Sequence, residues 1–392
     1  MKPPLSALLP RPAHASRDGG AIRMHHLLAA LVPAFRVRAF VLSAAGGASG
    51  EFPSGVDVVE IPHRAGPWRR AAAAGAGILG GAYPERIYRS SALEEALARA
   101  AATERPAWVV ALSYHLGIAA LRSGAPAWID FQNLDSEIWR RLGETASRAA
   151  VRAFARNQSP RVEALERRLV REAGGISCVS MRDARALEAF SPRTAPLTVP
   201  NGVDLSRFAF RAEPAAEELL FFAGDLSWPP NAEGIRWFRD RVWALVRSRR
   251  PEARAEILGR GAPRDLLARR DEGLRFLGEG EDAREHWKHA SVAFVPLLAG
   301  GGTRLKILEA AACGVPVVST PVGAEGLDLV PGSEIAVAET PEAFADAIAS
   351  LLSQPDARRR QAAAARRRVE SRYDWTPIGE AFARELLRRS AR

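Results

Sequence analysis

Short apolar runs alternate with amphipathic, arginine-rich segments along almost the whole chain, and this alternation restricts the folds that the chain can adopt. Runs such as AWVVALS and PAWIDF in the first half, and LLFFAGD and SVAFVPL in the second, have the length and composition of buried strands. Segments such as SALEEALARAAA, which fall between the runs, have the spacing of helices. A regular β–α alternation predicts an α/β fold, with parallel sheets covered by helices on both faces.

The alternation is interrupted once, and the interruption predicts two domains. The chain has 392 residues, which is more than one ordinary domain holds. Residues Thr198–Glu218 are rich in turn formers and charge, and a new strand follows them. We therefore expect a first domain over residues 1–203, a second over 204–374, and a final helix over 375–392 that starts at a Thr-Pro pair.

Composition argues against several classes of function. The formal net charge is +10, but the arginines are scattered along helical segments instead of forming a basic block with aromatic residues. We therefore expect no nucleic-acid partner. Cys178 and Cys313 lie far apart in apolar runs and show neither metal-site nor disulfide spacing. A cytoplasmic location, in a reducing compartment, fits best.

Two segments bear on membrane contact. The N-terminal run MKPPLSALLPRP is broken by prolines and is too short for a signal peptide. The low-charge run Ala71–Ala82 is shorter than the ~20 residues of a membrane span. The region His63–Gly81 places a tryptophan and arginines beside that run. It is compatible with peripheral contact at the anionic inner face of the cytoplasmic membrane, or with a surface loop that leads into a helix.

The stretch GGGTRLKILEAAACGVPVVST raises an electrostatic question. It predicts a glycine-rich turn, a helix with Thr303 as its N-cap and Gly314 just beyond its end, and then a strand. The first turn of the helix carries Arg304 and Lys306, although a helix N-terminus already bears about half a positive charge. A diphosphate held by the backbone amides, the helix dipole and both cations would remove the conflict.

Glu309 offers a second contact for such a ligand. It lies about 9 Å along the helix from Thr303, at a rise of about 1.5 Å per residue. This is roughly one nucleoside's length from the phosphates, and a carboxylate there could accept both hydroxyls of a ribose. In the alternative interpretation, the glycines only form a tight turn and Lys306 pairs with Glu309.

This stretch resembles the signature of the retaining GT-B glycosyltransferases of family 4, the group 1 glycosyltransferases. Other segments agree in order. RDGGAIRMHHLLAAL resembles their N-terminal glycine loop and first helix. IDFQNLDSEIWRR resembles a segment of the acceptor domain that is found in one branch of the family. The order of motifs through the domain junction also agrees, and the matching segments are VPNGVD, FFAGDLSWPPN and AEILGRG. The resemblance implies two Rossmann-like domains that face a cleft, with the nucleotide on the second, the acceptor on the first, and a C-terminal helix that returns to the first.

The activity that the resemblance implies is retaining transfer of a sugar from a nucleoside-diphosphate sugar to a hydroxyl acceptor. Polysaccharides, lipid-linked glycans and small aglycones are all open as acceptors. No metal or other cofactor is implied. Two alternatives remain, a nucleotide-sugar epimerase of the same fold and a non-catalytic nucleotide-sugar-binding protein. A dinucleotide oxidoreductase is disfavoured, because no G-x-G-x-x-G follows the first strand with an acid ~20 residues later.

The resemblance also assigns roles to particular positions. Glu309 matches a ribose-binding glutamate, and His115, at the end of a strand, lies near where relatives place a histidine by the reacting sugar. Together with Lys306 these two form the expected catalytic set. Asn133 and Arg140 are candidates for the acceptor side. The remaining expected donor-binding positions are Gly19, Gly20, Gly301, Gly302, Thr303, Arg304 and Leu305.

The chain departs from the family pattern at three positions. The first signature glutamate falls on Gly301. The usual arginine and lysine of the second domain's first glycine loop fall near Asp225 and Asn231, so the common diphosphate clamp is missing there. We expect Arg304 and Lys306 to take its place.

Overall fold

The chain divides into two compact units, each with its own parallel sheet. The computed structural model describes residues 2–15, 18–44, 50–64, 66–146, 148–192, 195–213, 215–280 and 282–390. The unit boundary falls between Asn201 and Gly202. The second unit ends at Asp374, and the helix that begins at Trp375 belongs to the first unit.

The first unit is built on a seven-stranded sheet in the order β3-β2-β1-β4-β5-β6-β7, in which every described pair is parallel. The order reverses between β1 and β4. The loops after these two strands therefore diverge and leave a crevice at the carboxyl ends of the strands. The strands are β1 (Pro4–Leu9), β2 (Arg36–Ser43), β3 (Asp57–Pro62), β4 (Trp108–Ala111), β5 (Ala127–Phe131), β6 (Gly175–Cys178) and β7 (Leu197–Thr198).

Helices cover both faces of this sheet, so the central strands β4 and β5 are buried along their whole length. Buried strands of this kind show continuous apolar runs rather than alternation. The helices are α1 (Gly19–Leu31), α2 (Pro67–Leu79), α3 (Tyr83–Tyr88), α4 (Ser91–Glu104), α5 (Gly117–Leu121), α6 (Asp135–Thr145), α7 (Ala149–Glu172), α8 (Met181–Glu188) and the terminal α17 (Trp375–Ser390).

The terminal helix α17 packs closely on α1. A Cβ added to Gly379 would lie 2.5 Å from the Cβ of Ala30, so a side chain at that position would push the two helices apart. At the start of α17 the Trp375 ring stacks on His26 at 4.9 Å. At its end the Leu386 carbonyl accepts a hydrogen bond from Trp108 Nε1 at 3.0 Å. These contacts fix the final helix to the first unit at both ends.

One ion pair of the first unit is completely buried. Arg23 of α1 and Asp130 of β5 are 1% and 0% exposed, and two bonds of 2.8 Å join the guanidinium to the carboxylate. The carboxylate also accepts from Ser177 Oγ at 2.7 Å. A further guanidinium nitrogen donates to Asn201 Oδ1 at 3.1 Å. The network therefore links α1, two strands and the last residue before the unit boundary.

The second unit has a six-stranded parallel sheet in the order β10-β9-β8-β11-β12-β13, which reverses between β8 and β11. The strands are β8 (Leu219–Ala223), β9 (Arg254–Leu258), β10 (Leu274–Gly278), β11 (Val292–Val295), β12 (Val317–Ser319) and β13 (Ala336–Val337). The helices are α9 (Pro229–Trp237), α10 (Trp243–Arg249), α11 (Arg264–Ala268), α12 (Ala283–Trp287), α13 (Leu305–Ala312), α14 (Pro321–Ala324), α15 (Pro341–Ser353) and α16 (Pro355–Arg372).

Two general findings concern the described part of the chain. No helix among these residues combines the length and the apolar content that crossing a bilayer requires. Within the same residues, no group of three or more His, Cys, Asp and Glu side chains is arranged to hold a metal ion.

Candidate functional site

The glycine-rich loop of the second unit joins β11 to α13 at the point where the strand order reverses. Ligands of open α/β sheets bind outside the carboxyl ends of the strands at such a point. Gly300 and Gly302 have φ values of 147° and 66°, which non-glycine residues rarely adopt. The helix begins at Leu305 with Arg304 in the N-cap position, so the expectation that Thr303 is the N-cap is wrong. Gly314, with φ of 77°, follows the helix end as predicted.

Lys306 is held by uncharged groups at the carboxyl end of β8. Its Nζ donates to Asn231 Oδ1 at 3.0 Å and lies 3.9 Å from the centre of the Phe222 ring. A Cβ added to Gly224 would come within 2.6 Å of Nζ, so this glycine leaves room for the ammonium. Burial and the nearby Arg304 lower the pKa of Lys306 to about 7, although Glu309 and Asp225 act in the opposite direction.

The position of this ammonium bears on the missing diphosphate clamp. The resemblance to the group 1 glycosyltransferases places a lysine near position 231, where this chain has Asn231. Here the ammonium of Lys306, which extends from α13, lies beside the side chain at that position. Asn231 Nδ2 in turn donates to the Asp225 carbonyl at 2.8 Å, which fixes the amide with its oxygen toward the ammonium. The structure therefore brings a cation to the position where the sequence lacks one.

Arg304 is directed differently from Lys306. Its Nη1 donates to the carbonyl of Gly301 and, at 3.1 Å, to that of Gly302. Through these bonds the guanidinium lies over the glycine loop, and the two loop carbonyls point toward the arginine. Arg304 thus supports the shape of the loop in addition to contributing positive charge.

Arg260 and Asp225 form a second charged element at the same edge of the sheet, which the sequence analysis did not identify. Arg260 follows β9, and its Nε and Nη2 lie 2.8 and 2.7 Å from Asp225 Oδ2. Burial alone would raise the pKa of Asp225, but hydrogen bonds from Ser227 and Arg260 outweigh it and lower the pKa. The signal in the sequence was an arginine between two glycines directly after a strand, in LGRG.

Glu309 lies on the inner part of α13, beside Trp287. Burial raises the pKa of its carboxyl to about 7, while Lys306 and the Trp287 indole act in the opposite direction. The ammonium of Lys306 bonds to Asn231, so the alternative in which the two side chains neutralise each other in a direct pair is not what the structure shows.

His115 lies at the carboxyl end of β4 in the first unit, in a cluster of aromatic and polar groups. Its Nδ1 is 2.8 Å from Ser113 Oγ, and its Nε2 is 3.4 Å from Asp135 Oδ2. Tyr114 OH donates to the same carboxylate oxygen at 2.7 Å. The imidazole also stacks on Tyr88, with 4.8 Å between ring centres. Both ring nitrogens are thus engaged, and the histidine is held in one orientation.

The other positions expected in the first unit lie near the same edge, with one exception. Gly19 is the first residue of α1. A Cβ added to Gly20 would lie 2.5 Å from the Arg11 guanidinium and 2.8 Å from the Gln132 amide, so a larger residue would displace the ends of these two side chains. Asn133 is half-buried in the loop after β5. Arg140, by contrast, is an exposed residue of α6 that pairs with Glu144 at 3.1 Å.

The remaining positions on the glycine loop are mostly turned inward. Gly301, Gly302 and Thr303 are buried, and Leu305 packs against the cluster that contains Leu308. The structure therefore brings the predicted donor-side residues of the second unit together around the loop between β11 and α13. Among them, Lys306 and Glu309 carry the ionisable groups with the clearest pKa shifts.

Comparison with known proteins shows that most of the second unit resembles one protein family. Residues 217–354 match the sequence model of the family described as "Glycosyl transferases group 1". Glycogen synthase of Mycobacterium tuberculosis is 33% identical over 248 residues, which are 58% of this chain and 58% of that protein. Phosphatidyl-myo-inositol mannosyltransferase of Mycobacterium leprae is 27% identical over 203 residues, or 47% and 52%. The chain thus matches little more than half the length of these curated relatives.

Solved structures resemble the chain over nearly its whole length. Sucrose-phosphate synthase of Thermosynechococcus elongatus superposes with a TM-score of 0.76 at 18% identity, covering 99% of each chain. HepE of Anabaena, solved with UDP and glucose, superposes with a TM-score of 0.67 at 12% identity, covering 97% of this chain and 98% of that one. Identities this low show the fold alone, which is GT-B. The chain therefore has the GT-B fold in its two units, and its residues 217–354 match the sequence model of the group 1 glycosyltransferases.

Proposed function

We propose that the chain is a retaining glycosyltransferase that moves a sugar from a nucleoside-diphosphate sugar to a hydroxyl acceptor. The observation that carries the proposal is the ammonium of Lys306. It is half-buried, it is bonded to a neutral amide, and it lies beside a glycine loop at the reversal point of the second sheet. A half-buried cation in such a position favours an anionic ligand, and a diphosphate fits the loop and the helix N-terminus.

Two comparisons support a nucleotide sugar as that ligand. HepE, which shares the fold, was solved with UDP and with UDP-glucose. Curated relatives of the chain include a glycogen synthase and a mannosyltransferase, whose names denote glycogen synthesis and mannosyl transfer. We infer that the diphosphate contacts Lys306 and the loop amides, and that the ribose hydroxyls reach Glu309.

The proposed reaction needs no group beyond those of the chain and its two substrates. The acceptor oxygen forms a bond to the anomeric carbon while the bond from that carbon to the diphosphate oxygen breaks. The electron pair leaves with the diphosphate, where loop amides, the helix dipole and Lys306 stabilise the added charge. The acceptor's proton passes to the leaving diphosphate, on the face where the new bond forms, so the anomeric configuration is retained.

The proposal is tested in two steps with the full chain. UDP-, GDP-, ADP- and dTDP-sugars are first screened for thermal stabilisation, and we expect one nucleotide series to raise the Tm. Release of the matching nucleoside diphosphate is then measured with and without hydroxyl acceptors, and the product's anomeric configuration is read by NMR. Release that depends on an acceptor, with retained configuration, is the expected result.

Other outcomes of the same assay would contradict the proposal. Stabilisation without any nucleotide release, with or without acceptor, would identify a non-catalytic binding protein. Conversion of the donor sugar to its epimer without an acceptor would identify an epimerase. If no nucleotide sugar stabilises the chain, the proposed donor site does not bind this class of ligand.

Glu309→Gln tests the ribose contact. A carboxylate accepts from two hydroxyls more strongly than an amide oxygen does, so we expect the variant to bind the ribonucleotide roughly tenfold more weakly. The 2′-deoxyribonucleotide, which lacks one hydroxyl, should lose much less affinity. Calorimetric titration of both nucleotides against both proteins measures the difference. An equal loss for the two nucleotides would show that Glu309 acts on the site as a whole and does not read the ribose.

A further inference from the structure

Helix α2 turns an apolar face toward solvent. Trp68, in its first turn, is 89% exposed, and Ile78, near its end, is 55% exposed. The opposite side contains Ala73 and Gly77, which are buried one turn apart. A Cβ added to Gly77 would lie 3.0 Å from the side-chain amide of Gln158, a residue of α7, so this side is packed tightly against the first unit.

The exposed face is continuous. With 3.6 residues per turn, five exposed residues fall on the side opposite Ala73, and all are apolar or small. They are Trp68, Ala71, Ala72, Gly75 and Ile78. A tryptophan carries one of the largest apolar surfaces of any side chain, and contiguous exposed apolar residues on a folded unit mark an interaction surface. We call these five residues the α2 face.

The charge around the α2 face is positive. Residues 63–89 contain five arginines and one glutamate, a net charge of +4 with the histidine neutral. Arg64 and Arg70, which border Trp68 in the sequence, are exposed. An apolar face with a tryptophan and neighbouring arginines matches the interface of an anionic bilayer, where the ring lies at headgroup level and the cations meet lipid phosphates.

The same charges disfavour a second copy of the chain as the occupant. A two-fold dimer through the α2 face would place one cluster of arginines against its equivalent, because a symmetric interface uses the same patch on both subunits. Like charges at that distance repel, whereas phosphate headgroups would neutralise them.

We propose that the α2 face docks on the surface of an anionic lipid bilayer. Trp68 and Ile78 enter the interfacial region, and Arg64 and Arg70 contact the lipid phosphates. This docking goes beyond the proposed sugar transfer and does not depend on it, because its test measures lipid binding and needs no substrate.

The test is co-sedimentation of the full chain with vesicles of phosphatidylcholine alone or mixed with phosphatidylglycerol. We expect binding to the mixed vesicles that weakens as salt rises. Each arginine near such a surface adds roughly fivefold, so Arg64→Ser with Arg70→Ser should lower the partition coefficient roughly 20-fold. Trp68→Ser should lower it as well. The matched control is Arg360→Ser with Arg367→Ser, two exposed arginines of α16, which should have little effect.

A site-specific probe distinguishes docking by α2 from general attraction. Cys178 and Cys313 are buried, so a polarity-sensitive fluorophore can be attached selectively to Ile78→Cys, with Leu387→Cys as the control position. We expect anionic vesicles to shift the emission of the first label only. The proposal is overturned if the two arginine pairs have equal effects or if both labels respond alike. It is also overturned if Trp68→Ser instead abolishes self-association measured without lipid.

Discussion

Replacing Lys306 by methionine is expected to weaken binding of the preferred nucleoside diphosphate by about 3 kcal/mol, or roughly 100-fold. Methionine keeps the bulk of the side chain over the Phe222 ring but removes the ammonium that Asn231 orients. The loss is large because the diphosphate would then be buried without its nearest cation. Calorimetric titration measures the change in Kd, and Lys288→Ala, an exposed lysine paired with Glu285, is the matched control.

The pH dependence of binding gives a second signature of Lys306. Its pKa in the free protein is lowered to about 7, and a bound diphosphate would raise it again. Above pH 7, nucleotide binding therefore has to be accompanied by proton uptake, and log Kd should rise by up to about one unit per pH unit. Lys306→Arg keeps its charge throughout this range, so its profile should be flatter.

Two results would contradict this assignment. If Lys306→Met binds the nucleotide normally while folded, the ammonium is not part of the donor site. If Lys306→Arg keeps the slope of the wild-type protein, the titrating group is another one. Glu309, whose pKa is also raised to about 7, would give the opposite slope, because a carboxylate that accepts from the ribose hydroxyls binds them best in its charged form. Loss of a half-buried charge should leave the Tm of Lys306→Met unchanged or higher, which separates lost binding from lost folding.

Arg304→Ala should have a smaller effect than Lys306→Met. The guanidinium bonds to the carbonyls of Gly301 and Gly302, so its removal would loosen the loop in addition to lowering the local positive charge. We expect roughly a tenfold loss of affinity, about 1.4 kcal/mol. The same titrations measure it, and a loss larger than that of Lys306→Met would mean that the shape of the loop, rather than the ammonium, dominates binding.

The sequence predicted the α/β class and most of the strands, because buried parallel strands show continuous apolar runs. It did not predict β1, which is an internal strand of the first sheet between β2 and β4. That strand begins at Pro4 and is followed by Pro10, and prolines at both ends made the segment look like an irregular terminus. Proline is tolerated as the first residue of a strand, where its missing N–H removes no essential bond.

The length of helix α7 was also underestimated from the sequence. The amphipathic segment RVEALERRLVREA predicts a helix from Arg161, directly after Pro160, whereas α7 begins at Ala149 and passes through the proline. A proline inside a helix costs a hydrogen bond and crowds the preceding turn. Buried residues of α7 before and after the proline, from Ala155 to Leu169, pack against the rest of the first unit and offset that cost. Such packing joins distant parts of the chain, so no local sequence pattern indicates it.

The loop and its helix were predictable at the candidate site, but the partners of their side chains were not. The glycines, Lys306 and Glu309 follow from spacing within one segment. The contact between Lys306 and Asn231 joins residues 75 positions apart, and the bond between Arg260 and Asp225 joins residues 35 positions apart. Such contacts depend on the order of the strands in the sheet, which a single sequence does not state.

Asp130→Ala is expected to have the largest effect on stability in the first unit. The carboxylate is fully buried in β5, and its removal leaves the equally buried Arg23 without its counter-ion. Breaking a buried pair in this way costs about 3–5 kcal/mol of unfolding free energy. Asp130 stood in the sequence as a lone acid between two apolar residues of a strand, which is the only local signal of the pair.

A second variant separates the unpaired charge from lost packing. Replacing both partners, with Arg23→Leu and Asp130→Leu, should recover much of the stability, because a buried pair exchanged for apolar residues is often close to neutral. Arg38→Ala, which breaks partly exposed pairs with Asp57 on the same sheet and with Glu104, should cost much less than Asp130→Ala, about 1 kcal/mol. Denaturant unfolding gives the free energy of unfolding of the whole chain, and hydrogen exchange of β5 and α1 amides reports the stability of the first unit alone.

Equal destabilisation by the single and the double variant would show that the shape of these side chains matters more than their charge. Recovery in the double variant would instead show that the unpaired guanidinium causes the loss, as its burial beside the unit boundary suggests.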